Sequence, residues 1–132
     1  MRRVSKKAAA RIAECKPFRD ALIVEVDHCE VCNRRRRASP GRLCVHEIAR
    51  GSHRHKAVDK RFAVLVLCDR CHLERIHGNE QWPQARQLAV LKRSRPADYD
   101  LAAFLNLKNP NALRAITEEE VQAWLGLDKG TT

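Results

Sequence analysis

Two Cys-x-x-Cys pairs constrain the fold of this chain more than any other feature of its sequence. The first pair is Cys29 and Cys32, the second is Cys68 and Cys71, and 35 residues separate the two pairs. Four thiolates at this spacing can close one tetrahedral zinc site. Zinc binding in small domains is worth about 10–16 kcal/mol, whereas a core of this size rarely contributes more than about 3–5 kcal/mol. We therefore predict that a structural zinc ion decides whether residues 29–72 fold.

The other two cysteines do not extend this pattern. Cys15 is expected on a helix and Cys44 on a strand, where a cysteine is more often a small buried apolar residue than a ligand. The sequence contains no run of about 18 apolar residues and no signal-peptide pattern. We therefore expect a cytoplasmic protein without membrane association, in which paired cysteines mark metal rather than disulfides.

The formal net charge of +10 lies in the half of the chain that carries the cysteines. Residues 1–77 hold 19 Lys and Arg against 9 Asp and Glu, and residues 78–132 hold 7 against 7. Such a field attracts polyanions and provides phosphate contacts, although a solvated surface that serves solubility is the alternative. Few aromatic residues are available there to stack on bases, which favours double-stranded DNA. The candidate nucleic-acid contacts are Arg34, Arg35, Arg36, Arg37, Arg50, Arg54, Lys56, Lys60 and Arg61.

The residues around and between the cysteine pairs predict an α+β fold. A helix is predicted over 5–15, where alanine-rich sequence has high helical propensity. Two apolar runs, over 43–48 and 62–67, are typical of strands. The carboxylate of Asp69 suits a helix N-terminus, so a further helix is expected from there to about His77, with a glycine directly after it as the stop.

The charge-neutral remainder of the chain predicts further helices. Thr117 with Glu120 forms a capping box, and the helix that follows is expected to end at Gly126. We expect two parts: residues 1–78, an N-terminal helix with the zinc-bound core, and residues 79–132, a helical extension that packs on or beside it. The helices of this extension are also a candidate docking surface for a protein partner.

The pattern enclosed by the two pairs resembles a known family. It comprises Cys29-x-x-Cys32, then Val45-His46-Glu47-Ile48, then Leu67-Cys68-Asp69-Arg70-Cys71-His72. This order is similar to that of the zinc-containing HNH endonucleases, and the similarity covers about residues 21–78. The resemblance implies a zinc-stabilised, treble-clef-like ββα-metal core and a small phage-type enzyme in the cytoplasm of a bacterial or phage-infected cell. The implied activity is metal-dependent hydrolysis of DNA phosphodiester bonds, by nicking or cutting, with low sequence specificity.

The resemblance also implies a second metal site. Matched on Ile48, His46 falls at the family's first metal-ligand position, and His72 falls at the ligand position on the helix after the second strand. Together they would hold Mg²⁺ or Mn²⁺. His77, five residues after His72, would reach the ion only if the helix has ended or unwound there. The alternatives are a core histidine for His46, and a surface histidine or substitute zinc ligand for His72.

The general base is the position at which this sequence departs from the family. Glu47 stands where the family has its base histidine, so the resemblance implies a base, a base-orienting group or an additional ligand. Glu47 is alternatively a buried partner of Arg50 or Arg54, and His53 or His55 can supply the base instead. Adjacent residues on a strand also point to opposite faces, so Glu47 and the histidine before it serve one site only if the strand twists or ends there.

The segment in which the family has an asparagine contains none here, since no asparagine lies between Asn33 and Asn79. With both the base histidine and this asparagine unmatched, the alternative function is a catalytically inactive, zinc-stabilised DNA-binding module on the same fold. Both functions predict zinc and DNA affinity, and only the endonuclease predicts cleavage.

Overall fold

A computed structural model describes residues 6–34, 43–48, 57–76, 78, 80–107 and 116–128. The helices and strands along these residues are α1 (Lys6–Glu14), α2 (Lys16–Val26), β1 (Leu43–Glu47), β2 (Val64–Cys68), α3 (Asp69–Cys71), α4 (Gln84–Ser94), α5 (Leu101–Leu107) and α6 (Glu118–Asp128). A 3₁₀ turn, Arg61–Ala63, leads into β2, and a π-helical turn, His72–Ile76, continues α3. The predicted α+β class is confirmed.

The N-terminal region consists of two helices that meet at Cys15. The predicted helix over 5–15 is α1, Lys6–Glu14. A second helix, α2, carries Pro17 in its first turn, where the fixed φ of proline suits a helix start and the missing N–H costs nothing. The chain leaves α2 through Asp27, whose φ of 58° is left-handed and reverses its direction towards the first cysteine pair. The fully buried Leu22 anchors α2 to the core.

The two strands form an antiparallel pair in which Leu43 lies opposite Cys68 and Glu47 opposite Val64. All five residues of β2 are buried, as its continuous apolar sequence predicts. The strand begins at Val64 rather than at residue 62, because a 3₁₀ turn occupies the first two residues of the predicted run. The N–H of Ile48 donates to the carbonyl of Ala63 at 2.9 Å, which extends the pairing beyond the strands.

The first cysteine turn covers the outer edge of β2. The N–H of Glu30 donates to the carbonyl of Val66 at 2.9 Å, and the N–H of Val66 donates to Glu30 Oε2 at 2.7 Å. Glu30 therefore provides a hydrogen-bond partner for both the N–H and the carbonyl of Val66, and buried backbone groups require such partners. The carboxylate of Glu30 also accepts from Arg95 Nε at 2.7 Å and from Ser94 Oγ at 2.6 Å. Glu30 thus ties the cysteine turn to both β2 and the end of α4.

Gly78 ends the helical turn that follows β2. A Cβ at this position would lie 2.5 Å from the carbonyl oxygen of Leu73 and 2.8 Å from that of Glu74. Real side chains do not tolerate such distances, so the close approach of the chain to the end of the turn requires glycine. The predicted helix stop at Gly78 is confirmed, with the last helical residue at Ile76.

The C-terminal helices share the hydrophobic core of the strands. Leu88 of α4, Phe104 of α5 and Val121 of α6 are fully buried and belong to the same cluster as Val66 of β2. The predicted cap of α6 is present, since the N–H of Glu120 donates to Thr117 Oγ1 at 3.2 Å. No helix among the described residues is long and apolar enough to cross a membrane.

The prediction that Gly126 ends this last helix is wrong, because α6 continues to Asp128. Arg86 explains the extension: its Nε and Nη2 donate to the Asp128 carboxylate at 3.1 and 3.0 Å. The same guanidinium stacks 3.5 Å from the ring centre of Trp82 and 4.9 Å from that of Trp124. These contacts stabilise the last turn and offset the roughly 1 kcal/mol that a mid-helix glycine costs.

The buried ion pair of Glu30 and Arg95 makes a stability prediction. Arg95→Ala leaves the fully buried Glu30 carboxylate without its cation and should lower the free energy of unfolding by about 3–5 kcal/mol, measured by urea denaturation at fixed zinc concentration. The matched control is Arg70→Ala, which removes an exposed pair with Glu74 and should cost less than about 1 kcal/mol. Equal losses in the two variants would contradict the assigned importance of the buried pair.

Candidate metal centre and histidine pair

The four-cysteine cluster, Cys29, Cys32, Cys68 and Cys71, brings four sulfur atoms within 4.8 Å of one another. The sulfurs of Cys32 and Cys68 are 3.8 Å apart. A tetrahedral zinc ion with Zn–S bonds of about 2.3 Å places its sulfurs about 3.8 Å apart, so the cluster fits this ion. Among the described residues, this cluster is the only group of three or more ligating side chains that lie close enough together to hold a metal ion.

Local backbone geometry explains why the sulfurs converge. In the first pair, the N–H of Asn33 donates to the carbonyl of Cys29 at 2.8 Å, and the N–H of Cys29 donates to the carbonyl of Arg34 at 2.9 Å. Asn33 takes a left-handed φ of 64° that closes this turn. In the second pair, Cys68 ends β2 and caps α3, because its sulfur accepts from the N–H of Cys71 at 3.5 Å.

The sulfurs of the cluster interact with one another. A hydrogen bond from the Cys71 thiol lowers the pKa of Cys29, and the same bond raises the pKa of Cys71. The bond therefore favours the thiolate form of Cys29, which is the form that binds zinc. Outside the cluster, burial raises the pKa of Cys44 to about 11, with the charge of Asp69 as the next cause. Cys44 is therefore a neutral thiol at physiological pH.

His46 and His72, the histidine pair, lie side by side. Their ring centroids are 5.1 Å apart, with an angle of 59° between the ring planes. An imidazole nitrogen binds a metal at about 2.0–2.1 Å, and two rings that share one ion have centroids about 5 Å apart. His46 is held in β1, and His72 directly follows Cys71, so the sheet and the four-cysteine cluster together set the distance between the two rings.

One polar partner of His46 comes from α4. His46 Nε2 lies 2.7 Å from Oε1 of Gln87, and the Gln87 amide nitrogen donates to the carbonyl of Trp82 at 2.9 Å. Both His46 and Gln87 are buried, at 7% and 0% exposure. Gln87 is not among the site residues predicted from the sequence. Its position between the buried apolar residues of α4 was the available signal, since a polar residue in such a face needs a partner.

Glu47, the residue after His46 on β1, contacts helix α2. Arg19 Nη1 donates to Glu47 Oε1 at 2.6 Å, and Arg19 Nη2 donates to the carbonyl of Val45 at 2.6 Å. Glu47 is 7% exposed, so this is a buried carboxylate with an arginine partner. The partner belongs to α2, 28 residues away, and local sequence gave no sign of it. Along β1, the contact of Glu47 with α2 and that of His46 with α4 follow the alternation of strand side chains.

Three of the nine candidate nucleic-acid residues fall within the described ranges. Arg34 is exposed. Lys60 Nζ lies 3.6 Å from Asp59 Oδ1. Arg61 donates to Asp98 at 2.9 Å and pairs with the exposed Glu25, so its charge is engaged by two carboxylates. The other candidates lie outside the described residues, as do both alternative bases and the third histidine ligand; these are Arg35, Arg36, Arg37, Arg50, Arg54, Lys56, His53, His55 and His77.

Comparison with known proteins returned no relative. No family model matches the chain, and no curated protein or solved structure is similar to it. The resemblance to the HNH endonucleases therefore rests on the motif residues of the sequence alone.

The cluster geometry predicts one zinc ion per chain. Cys32→Ser removes one of four thiolates, so this variant should lose its zinc on dialysis against a chelator that the unaltered protein withstands. Cys44→Ser changes a cysteine outside the cluster and should retain the metal. Metal content measured by mass spectrometry checks both expectations. Zinc loss from Cys44→Ser, or an unaltered protein that binds no zinc, would contradict the assignment.

Proposed function

We propose that the chain is a metal-dependent DNA endonuclease of the HNH type, with a structural zinc in a treble-clef-like ββα-metal core. The observation that carries the proposal is the 5.1 Å approach of the His46 and His72 rings. One ring comes from β1 and the other from the residue directly after the last cysteine, the two positions that the motif assigns to metal ligands. A zinc site that only stabilises the fold would not require these two histidine rings to lie so close together.

The histidine pair would hold the catalytic ion. When bound, such an ion stabilises charge on the scissile phosphate and on the leaving 3′ oxygen. The protein's part is to keep both rings in place before substrate arrives. His72 is anchored through Cys71 and the zinc, and His46 through β1. Of the two candidate ions, Mn²⁺ accepts imidazole nitrogen more readily than Mg²⁺, which is a hard cation that prefers oxygen ligands, so Mn²⁺ is the ion used in the tests below.

We assign Glu47 a positioning role within this enzyme. Its carboxylate accepts from Arg19, and the same guanidinium binds the Val45 carbonyl, so the pair holds α2 against β1 directly beside His46. The candidates for the general base are then His53 and His55, which follow β1 in the sequence and lie outside the described residues. A histidine with an ordinary pKa near 6.5 is better matched to water activation at neutral pH than a carboxylate.

The second candidate function is a DNA-binding module without nuclease activity. The buried ion pair between Arg19 and Glu47 favours it, because this pair occupies the position at which the family has its base histidine. The two functions share the zinc core and the basic half of the chain. They differ in whether DNA is cut.

The endonuclease proposal predicts nicking of supercoiled plasmid by the zinc-loaded protein in the presence of Mn²⁺. His72→Ala removes a ligand of the catalytic ion and should lower the nicking rate by about a hundredfold or more. The variant should keep its structural zinc, since the four cysteines are unchanged.

The matched control is His28→Gln, because the His28 ring contacts the backbone carbonyl of Val26 and is not part of the histidine pair. It should nick at close to the unaltered rate. Intact plasmid with every divalent ion tested would favour the binding module, and full activity in His72→Ala would mean that the ligand assignment is wrong.

The exposed Arg34 predicts a phosphate contact. Arg34→Gln should weaken binding to duplex DNA about equally for all sequences and reduce the salt slope of the binding constant by about 1. Fluorescence anisotropy with EDTA at several salt concentrations measures both quantities without cleavage. In the control Lys16→Gln, the lost charge is already paired with Asp20 at 2.5 Å, so the slope should change less. Equal slopes for Arg34→Gln and the unaltered protein would exclude the contact.

A further inference from the structure

The two contacts of Gln87 determine which way its amide faces. The carbonyl of Trp82 can only accept a hydrogen bond, so the group 2.9 Å from it must be the amide nitrogen of Gln87. The amide oxygen therefore faces His46 Nε2 at 2.7 Å. An amide oxygen can only accept, so His46 Nε2 carries the proton.

This hydrogen bond has a chemical consequence for His46. A neutral imidazole holds one N–H, and with that proton on Nε2 the lone pair of the ring is on Nδ1. In metalloproteins, a ligating histidine usually donates its second ring nitrogen to an acceptor of this kind. That bond fixes the tautomer, orients the ring and raises the basicity of the ligating atom.

The location of Gln87 argues for a specific role. It is fully buried, and its neighbours Leu88 and Leu91 on α4 are fully buried as well. An apolar residue of the same length would pack in this face without the cost of removing an amide from water. The amide is retained where both of its ends have partners, and one of those partners belongs to the histidine pair.

We propose that Gln87 is a positioning residue of the metal site: it holds His46 as the Nε2–H tautomer so that Nδ1 binds the catalytic ion. The inference rests on the proposed function, because it assigns a role to Gln87 within that site. The inference also gives the C-terminal part of the chain a role in the metal site. Helix α4 completes the metal site, and residues 29–78 alone would leave His46 without this acceptor.

The test uses the full-length, zinc-loaded protein and two variants on the same helix. Gln87→Met keeps the length of the side chain and removes the acceptor. Gln84→Met is the matched control, since Gln84 lies about one turn earlier on α4 and its amide donates to the backbone carbonyl of Ile48 at 3.1 Å. Gln87→Glu keeps an acceptor opposite His46 and serves as the rescue variant.

The first readout is the tautomer of His46, measured by long-range ¹H–¹⁵N correlation spectra of the imidazole nitrogens. The unaltered protein and Gln84→Met should show a single Nε2–H form whose proton exchanges slowly with water. In Gln87→Met this proton loses its acceptor, so it should exchange about ten times faster, or the ring should show both tautomers. The spectra also report whether Gln87→Met is folded. A folded Gln87→Met with the same tautomer and the same exchange rate would overturn the proposal, as would an Nδ1–H tautomer in the unaltered protein.

The second readout is Mn²⁺ binding, followed by paramagnetic broadening of the His46 and His72 resonances. Gln87→Met should need about 10–100 times more Mn²⁺ for half-maximal broadening, and Gln87→Glu should recover part of this difference. Unchanged Mn²⁺ affinity in Gln87→Met would overturn the proposal. Neither readout depends on cleavage, so a protein that binds Mn²⁺ as expected but leaves plasmid intact would disprove the nuclease and not the positioning role of Gln87.

Discussion

The four-cysteine cluster fixes how the first cysteine turn lies against the end of β2. It joins the turn after α2 to the junction of β2 and α3, and the sulfurs of Cys32 and Cys68 are already at the distance that a tetrahedral zinc ion requires. Because His72 is the next residue after Cys71, the same cluster fixes one ring of the histidine pair. A change in metal content is therefore expected to affect the fold and the candidate site together.

A second buried feature keeps the cluster attached to the rest of the domain. Glu30, inside the first Cys-x-x-Cys turn, satisfies the outer edge of β2 and binds Arg95 at the end of α4. Helix α4 in turn carries Gln87, the partner of His46. Helix α4 thus contacts the first cysteine turn at its C-terminal end and His46 through its first turn. The position of His46 relative to His72 depends on both contacts.

The sequence predicted the features that follow from local pattern, and it missed those that depend on pairs distant in the chain. The apolar runs predicted both strands, and the paired spacing predicted a cluster that can hold a metal. Local propensity predicts a helix stop at Gly126 because it contains no information about the Arg86–Asp128 contact at the end of α6. The sequence alone does not single out Gln87, since an amide in a helix reveals its role only when the strand packed against it is known. For Glu47 the sequence offers Arg50 or Arg54 as an alternative partner, whereas the arginine that pairs with it is Arg19 of α2.

The proposed function requires that His46 and His72 share one catalytic ion while the four cysteines hold a zinc ion. A crystal of the zinc-loaded protein soaked in Mn²⁺ tests this arrangement, with anomalous diffraction recorded at wavelengths that separate the two metals. We expect a zinc peak among the four sulfurs and a manganese peak about 2–2.3 Å from one nitrogen of each ring of the histidine pair. Manganese bound elsewhere, or zinc alone with none between the two rings, would contradict it.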